Sequence, residues 1–250
     1  MARTAATDAA EFFWKAAGQK ERFPRNLEAP ASWGLPVAIV KLPRLWGVDI
    51  RRYLQNTFTG QLSVPDYLPL RGFMLAADGK GLLFLNGGDP RDEQRYSLAH
   101  EIAHFLLDYY LPRLRTIEIL GSGICEVLDG HRHATVDERV HAVLAAAPIG
   151  MYEYRLCKAA DLGSAPAIHD ESEAAADELA VELLAPFNAA IKQMKGFRAD
   201  DNFGAFQSRL RAKLIKVFGL PVFAAEGIAA VYAGRCGRRK TFKQWIGIET

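Results

Sequence analysis

A chain of 250 residues that is half hydrophobic and 24% charged is long enough to bury a sizeable core and is composed like a globular domain. Its net charge of +2 gives no electrostatic ground for nucleic acid or a membrane surface as partner, and no apolar run reaches the roughly 18 residues of a membrane span. Cys125, Cys157 and Cys236 form no Cys-x-x-Cys pair and the N-terminus lacks the apolar core of a signal peptide, which disfavours a disulfide framework or thiolate zinc site and fits a reducing cytoplasm.

In chain order, residues 8–20 read as a short helix ending near Gly18, and Pro24, Pro30 and Pro36 predict an extended crossing. Val37–Lys41 is rich in β-branched residues and predicts a strand; Val48–Leu54 predicts a helix and Thr57–Gly60 a polar loop. Leu70–Ala76 and Gly81–Asn86 flank Ala77-Asp78-Gly79-Lys80, a strong hairpin signal. A sheet edge beside the helix that follows would give an extended peptide a strand to pair with.

That helix carries the most specific motif of the chain, Arg95-Tyr-Ser-Leu-Ala-His100-Glu101-Ile-Ala-His104-Phe-Leu-Leu-Asp108. Asp89 is placed to cap it, Pro90 suits its first position, and Pro112 is expected to close it. Leu98, Ile102, Phe105, Leu106 and Tyr109 recur at helical spacing. Residues four apart share a helix face, so His100 and His104 can grip one metal ion, while Glu101 can flank a water and accept its proton. With six His and fifteen Glu in the chain, a chance match to this pattern is expected in only about 0.01 of such chains. The plainer reading, two partly buried imidazoles bonded to backbone, leaves the adjacent carboxylate without a use.

From Leu111 to about Asp170 the pattern weakens. Thr135 predicts a cap for a helix over 136–146, and His131-Arg-His133 reads as a solvated tract at the Asp129-Gly130 turn. Asp170–Pro186 predicts another helix, on which Glu173 and Asp177 are four apart. Glu173 can complete a metal tripod while Asp177 bonds the far nitrogen of a ligand histidine; alternatively Asp170 and Glu173 form a capping pair. Phe203–Val217 and Phe218–Ala233 predict two further helices with the length of a helix-turn-helix, and Arg235-Cys-Gly-Arg-Arg-Lys240 reads as a solvated basic tail.

With both motif helices in view, the chain resembles the ImmA/IrrE family of zincin-like bacterial metallopeptidases. The matching pieces are Arg71-Gly-Phe-Met-Leu-Ala-Ala-Asp-Gly, Ser97-Leu-Ala-His-Glu-Ile-Ala-His-Phe-Leu-Leu, and Glu173-x-x-Ala176-Asp177-x-Leu179-Ala180-x-Glu182-Leu-Leu-Ala-Pro186. The resemblance implies Zn²⁺ held by His100, His104 and Glu173, with Glu101 as general base. It also implies a protein substrate, a helix-turn-helix transcriptional repressor whose cleavage releases stress-response or mobile-element genes. Ala103 and Asp108 stand where Gly and His are often seen in the family, and Ala175 where a second Glu is common. Sixty-eight residues lie between His104 and Glu173, far more than the family's usual connection.

The expected fold is α+β: a zincin-like metalloprotease domain over residues 1–195, with a small antiparallel sheet and a helical insert at 111–168, then a C-terminal helical region over 196–250. The expected activity is that of a zinc metalloendopeptidase in the cytoplasm, with no membrane partner and no direct DNA contact. The rival expectation is a non-catalytic module that sequesters a repressor on the same fold; an intact Glu101 weighs against it, since a structural zinc site needs no base.

Overall fold

The computed structural model describes residues 4–18, 22–56, 60, 62–157, 168–194 and 203–236. Two compact units divide the chain: Met1–Lys20 with Asn26–Ala180, and Glu21–Arg25 with Val181–Thr250.

The first unit opens with helix α1 (Ala5–Ala16), capped by the Thr4 hydroxyl on the Thr7 N–H, followed by α2 (Glu28–Gly34). Pro30 lies in the first turn of α2, where a missing N–H costs nothing, so the extended crossing expected from the prolines contains a helix. Strand β1 (Val37–Leu42) and helix α3 (Gly47–Leu54) follow, and residues 57–59 of the expected loop lie outside the described residues.

Strands β2 (Leu70–Ala77) and β3 (Lys80–Asn86) form the expected hairpin. Asp78 and Gly79 both have positive φ, 51° and 73°, the conformation a two-residue hairpin turn requires and Asp-Gly tolerates. The sheet order is β1-β3-β2-β4, with β4 spanning Tyr152–Cys157. The sheet is antiparallel over β3, β2 and β4, and β1 joins β3 in parallel. One face packs into a core of Leu45, Ile50, Leu54, Val64, Phe73, Leu75 and Phe84. The other face meets helix α4 (Arg91–His104): a side chain at Gly72 would strike Glu101, and one at Gly81 would strike Phe105.

Helix α4 begins on Pro90 rather than on Asp89, whose carboxylate instead accepts from the Asn86 amide at 3.0 Å. Nor does Pro112 end the helical run. A π-helical segment (Phe105–Tyr110) follows His104 directly and leads into α5 (Leu111–Leu120), which takes Pro112 in its first turn. The Leu111 N–H reaches back five residues to Leu106, so the widened turn carries the helix past a residue that cannot donate.

The expected insert is helical at first, with α6 (Cys125–Leu128) and α7 (Val136–Leu144), which closes a reciprocal cap between Thr135 and Glu138. Ile124, Val127, Leu128 and Ala147 form a small core there. Its last described stretch is strand β4, which returns to the main sheet and which the sequence pattern did not foretell. His131 and His133 are exposed, as expected of a solvated tract.

Helix α8 (Ile168–Leu184) carries the second motif. The side chain of Asp170, and with it the capping alternative for Glu173, lies outside the described residues. The second unit contains α9 (Phe187–Lys192), α10 (Phe203–Lys216) and α11 (Val222–Arg235). There the Tyr232 hydroxyl donates to the Ala185 carbonyl at 2.8 Å and its ring meets Phe187 edge-on. Most of the basic run, residues 237–240, lies outside the described residues. Among the described residues no helix is long and apolar enough to cross a membrane.

Phe73 is fully buried at the centre of the sheet's apolar face and tilts against Phe84 with ring centroids 6.0 Å apart. Phe73→Ala is therefore expected to cost about 3–5 kcal/mol of stability. A lower denaturant midpoint at unchanged slope would show it, and a shift below about 1 kcal/mol would place the core elsewhere.

Candidate metal centre

Nine consecutive residues of α4, from Tyr96 to His104, are buried. His100 is 2% exposed, Glu101 0% and His104 0%. Polar groups withdrawn from water need partners, and the imidazoles have them. His100 Nδ1 lies 3.0 Å from an Asp177 carboxylate oxygen, and His104 Nδ1 lies 2.6 Å from one of Asp108. With each carboxylate accepting the Nδ1–H, the neutral form of each ring presents its lone pair at Nε2.

Those two Nε2 atoms sit 3.0 Å apart. Glu173 comes in from α8, with Oε2 3.4 Å from His100 Nε2 and Oε1 3.8 Å from His104 Nε2. One donor atom from each of the three residues falls within 4.8 Å of the others, a group that could hold a metal ion. Glu173 and Asp177, one turn apart on α8, thus meet the same histidine from two sides, at Nε2 and Nδ1. Glu171 is exposed and Glu178 half-buried, and neither is in that group.

The carboxylates are themselves held. Asp177 also accepts from the Tyr96 hydroxyl at 2.8 Å; Asp108 accepts from Ser172 Oγ at 2.9 Å and lies 3.4 Å from the Tyr152 hydroxyl. Burial opposes charge on His100, but the hydrogen bonds to Asp177 and Glu173 outweigh it and raise its pKa to about 9. Burial dominates at His104 and lowers it. Glu173 and Asp177 also resist burial: hydrogen bonds, His100 first, hold both below the ordinary carboxylate range.

Glu101 differs from every other group here. Both of its carboxylate oxygens are buried with no hydrogen-bond partner among the described residues. Burial pushes its pKa up to about 8, with His100 pulling the other way. Gly72 makes the room: an added Cβ there would lie 2.2 Å from Glu101 Oε1. A carboxyl of that pKa, set beside a metal-type donor cluster and free of internal bonds, is suited to exchanging a proton near neutral pH.

Arg95, Tyr96, Tyr109 and Tyr110 are close enough in sequence to be candidates for assisting an oxyanion. Tyr96 is bonded to Asp177, the Tyr109 hydroxyl accepts the Gly79 N–H at 2.8 Å, and Tyr110 stacks on Phe105. The tyrosine at the cluster is Tyr154 of β4. Its ring stacks on His104 at 3.4 Å between centroids, and its hydroxyl donates to Glu173 Oε1 and lies 3.4 Å from His100 Nε2. The alternation Tyr152-x-Tyr154-x-Leu156 was the available signal, a half-buried strand pattern inside a stretch too short to stand out.

An α+β fold with His-Glu-x-x-His on a buried helix under a small sheet, and a carboxylate arriving from a second helix, is consistent with a zincin-like domain. Residues 60–122 match the model of a peptidase family described as IrrE N-terminal-like domain. This stretch takes in the hairpin and α4, and over it the chain is similar to that peptidase family. No curated protein and no solved structure matches the chain.

The contact at Gly72 is open to a direct check. Gly72→Ala forces the fully buried Glu101 carboxylate to shift, and overpacking of this kind is expected to cost about 1–3 kcal/mol. Unchanged thermal stability in the variant would mean that β2 does not lie over Glu101.

Proposed function

We propose that the chain is a zinc-dependent endopeptidase. The observation that supports this best is the convergence of two imidazole nitrogens and a carboxylate beside a buried glutamate with no internal bonds. Two nitrogens and one oxygen are a donor set that suits Zn²⁺, with His100, His104 and Glu173 as the residues that would hold it. When bound, the ion supplies Lewis acidity that polarises a peptide carbonyl and acidifies water.

The chain's own groups do the rest. Asp177 and Asp108 hold His100 and His104 in the tautomer that presents Nε2. Glu101 accepts the proton of the attacking water and returns it to the departing amine; its raised pKa places it near the pH at which both transfers are feasible. Gly72 keeps the β2 backbone against that carboxylate, so that a peptide aligned along the sheet would pass the proton acceptor.

The substrate we propose, on the family resemblance, is a helix-turn-helix transcriptional repressor in the cytoplasm, whose cleavage would release the genes it silences during stress. A second reading is favoured by one observation: β4 already pairs along β2, so β2 offers an extended peptide no free edge. In that reading the chain sequesters its partner without cutting it.

Metal content tests the first layer of the proposal. Purified protein is expected to bind about one zinc per chain, lost in a His100→Ala/His104→Ala double variant. Glu173→Ala should weaken binding far more than Glu171→Ala, as read by competition with a chromophoric chelator. Equal affinities for those two single variants would remove Glu173 from the ligand set.

Glu101→Gln separates the two readings. It is expected to keep metal and partner binding while lowering the rate of partner cleavage by roughly 10²–10⁴, the usual loss with a general base. Derepression of the partner's gene should fall with it. If the variant derepresses as well as the parent and leaves the partner intact, the chain acts by sequestration.

A further inference from the structure

Tyr154 has no part in the chemistry just proposed, yet its hydroxyl sits among the donor atoms. We propose that Tyr154 is a fourth protein ligand of the metal, carried into place by β4. This rests on the metal-site reading above and adds to it a closed state of the site.

Four donors at the corners of a tetrahedron, each about 2.0–2.1 Å from a central ion, lie about 3.3 Å from one another. His100 and His104 Nε2 are 3.0 Å apart, and the nearest Glu173 oxygens are 3.4 and 3.8 Å from them. The Tyr154 hydroxyl is 3.4 Å from His100 Nε2, a separation of the same size. Its remaining close contact is the hydrogen bond to Glu173 Oε1. There a proton holds the two oxygens closer than two ligands of one tetrahedral ion lie, so taking up the ion in its place would part them. As the oxygen–metal bond forms, the phenol O–H bond breaks. The proton passes to the Glu173 carboxylate it already touches and on to solvent, since that side chain is 34% exposed.

Three sets of contacts hold Tyr154 in this position, none of which needs a metal. On β4, Tyr152, Tyr154 and Leu156 stand opposite Ala76, Met74 and Gly72 of β2, on the sheet face turned to α4. On the other face the Glu153 carboxylate accepts from Ser63, N–H at 3.0 Å and hydroxyl at 2.8 Å. The Tyr154 ring lies against His104. The phenol is thus placed by a paired strand and is 7% exposed.

Metal sites that perform hydrolysis keep one position open, whereas sites with four protein ligands are closed. A fourth ligand on β4 would therefore make this a resting form. The strand that pairs along β2 would then also fill the open position on the metal, so the site opens only when Tyr154 leaves it.

Copper(II) is the probe. Metal-free protein loaded with one equivalent of Cu²⁺ is expected to show a visible phenolate-to-copper charge-transfer band. The band should persist in Tyr152→Phe and vanish in Tyr154→Phe. Zinc affinity of Tyr154→Phe should fall by roughly 10–100-fold, the scale on which residues supporting a metal site act. Phenylalanine keeps the ring on His104 and removes only the oxygen. Resonance Raman of the unmutated copper protein reads the phenolate modes directly, so the test holds however the variant folds. Copper bound without phenolate modes, or equal zinc affinity in Tyr154→Phe and parent, overturns the assignment and leaves the three-ligand site standing. A parent chain that binds no metal overturns both.

Discussion

Two imidazoles and a carboxylate buried in one apolar helix are the constraint around which the first unit is arranged. Leaving a buried polar group without a partner costs about 1–3 kcal/mol, and more for a charge. The chain meets that demand for His100 and His104 by bringing a carboxylate to each Nδ1 from a different place: Asp177 from α8, Asp108 from the next turn. The two solutions have different reach. Asp108 is local and needs only the helix to continue past His104. Asp177 is remote and ties α8 onto α4 across seventy-seven positions of sequence.

The π-helical turn belongs to the same arrangement. It begins at Phe105, so Asp108 lies inside it, with its carboxylate on His104 and reachable by Ser172 and Tyr152. An extra residue per turn at this point also lets the run absorb Pro112 without a break. The next turn of helix then carries Arg113 to its buried ion pair with Asp129, at 2.7 Å. The part of the chain that follows is therefore fixed to the end of the motif helix.

Much of this was legible in the sequence, for identifiable reasons. Asp78-Gly79 announced the hairpin because only a few residue pairs accept positive φ twice. His100, Glu101 and His104 were legible because helical spacing converts directly into geometry, and Glu173 with Asp177 for the same reason one helix later. Pro30 and Pro112 misled because proline forbids helix interiors but not first turns, and the sequence does not mark which of the two it occupies. Strand β4 stayed hidden because six residues of alternating pattern acquire meaning only when a partner strand is known.

That partner decides what the long connection between His104 and Glu173 does. Read as sequence, sixty-eight residues look like an addition to a short family pattern. In the fold they leave the motif helix through the π turn, form a small core of their own, and return as the strand that borders β2. A loop closing the same distance would pay only a slowly rising entropy for its length, so length alone does not call for a strand here. What does is the chemistry at its end. Gly72 leaves the β2 backbone bare over Glu101, and a bare strand edge beside two metal-type nitrogens would stay open to any extended chain. Leu156 covers that edge opposite Gly72, and two residues away Tyr154 covers the nitrogens. Because strand side chains alternate, one register places both, and a slip of a single residue would turn Tyr154 to the opposite face and uncover the site.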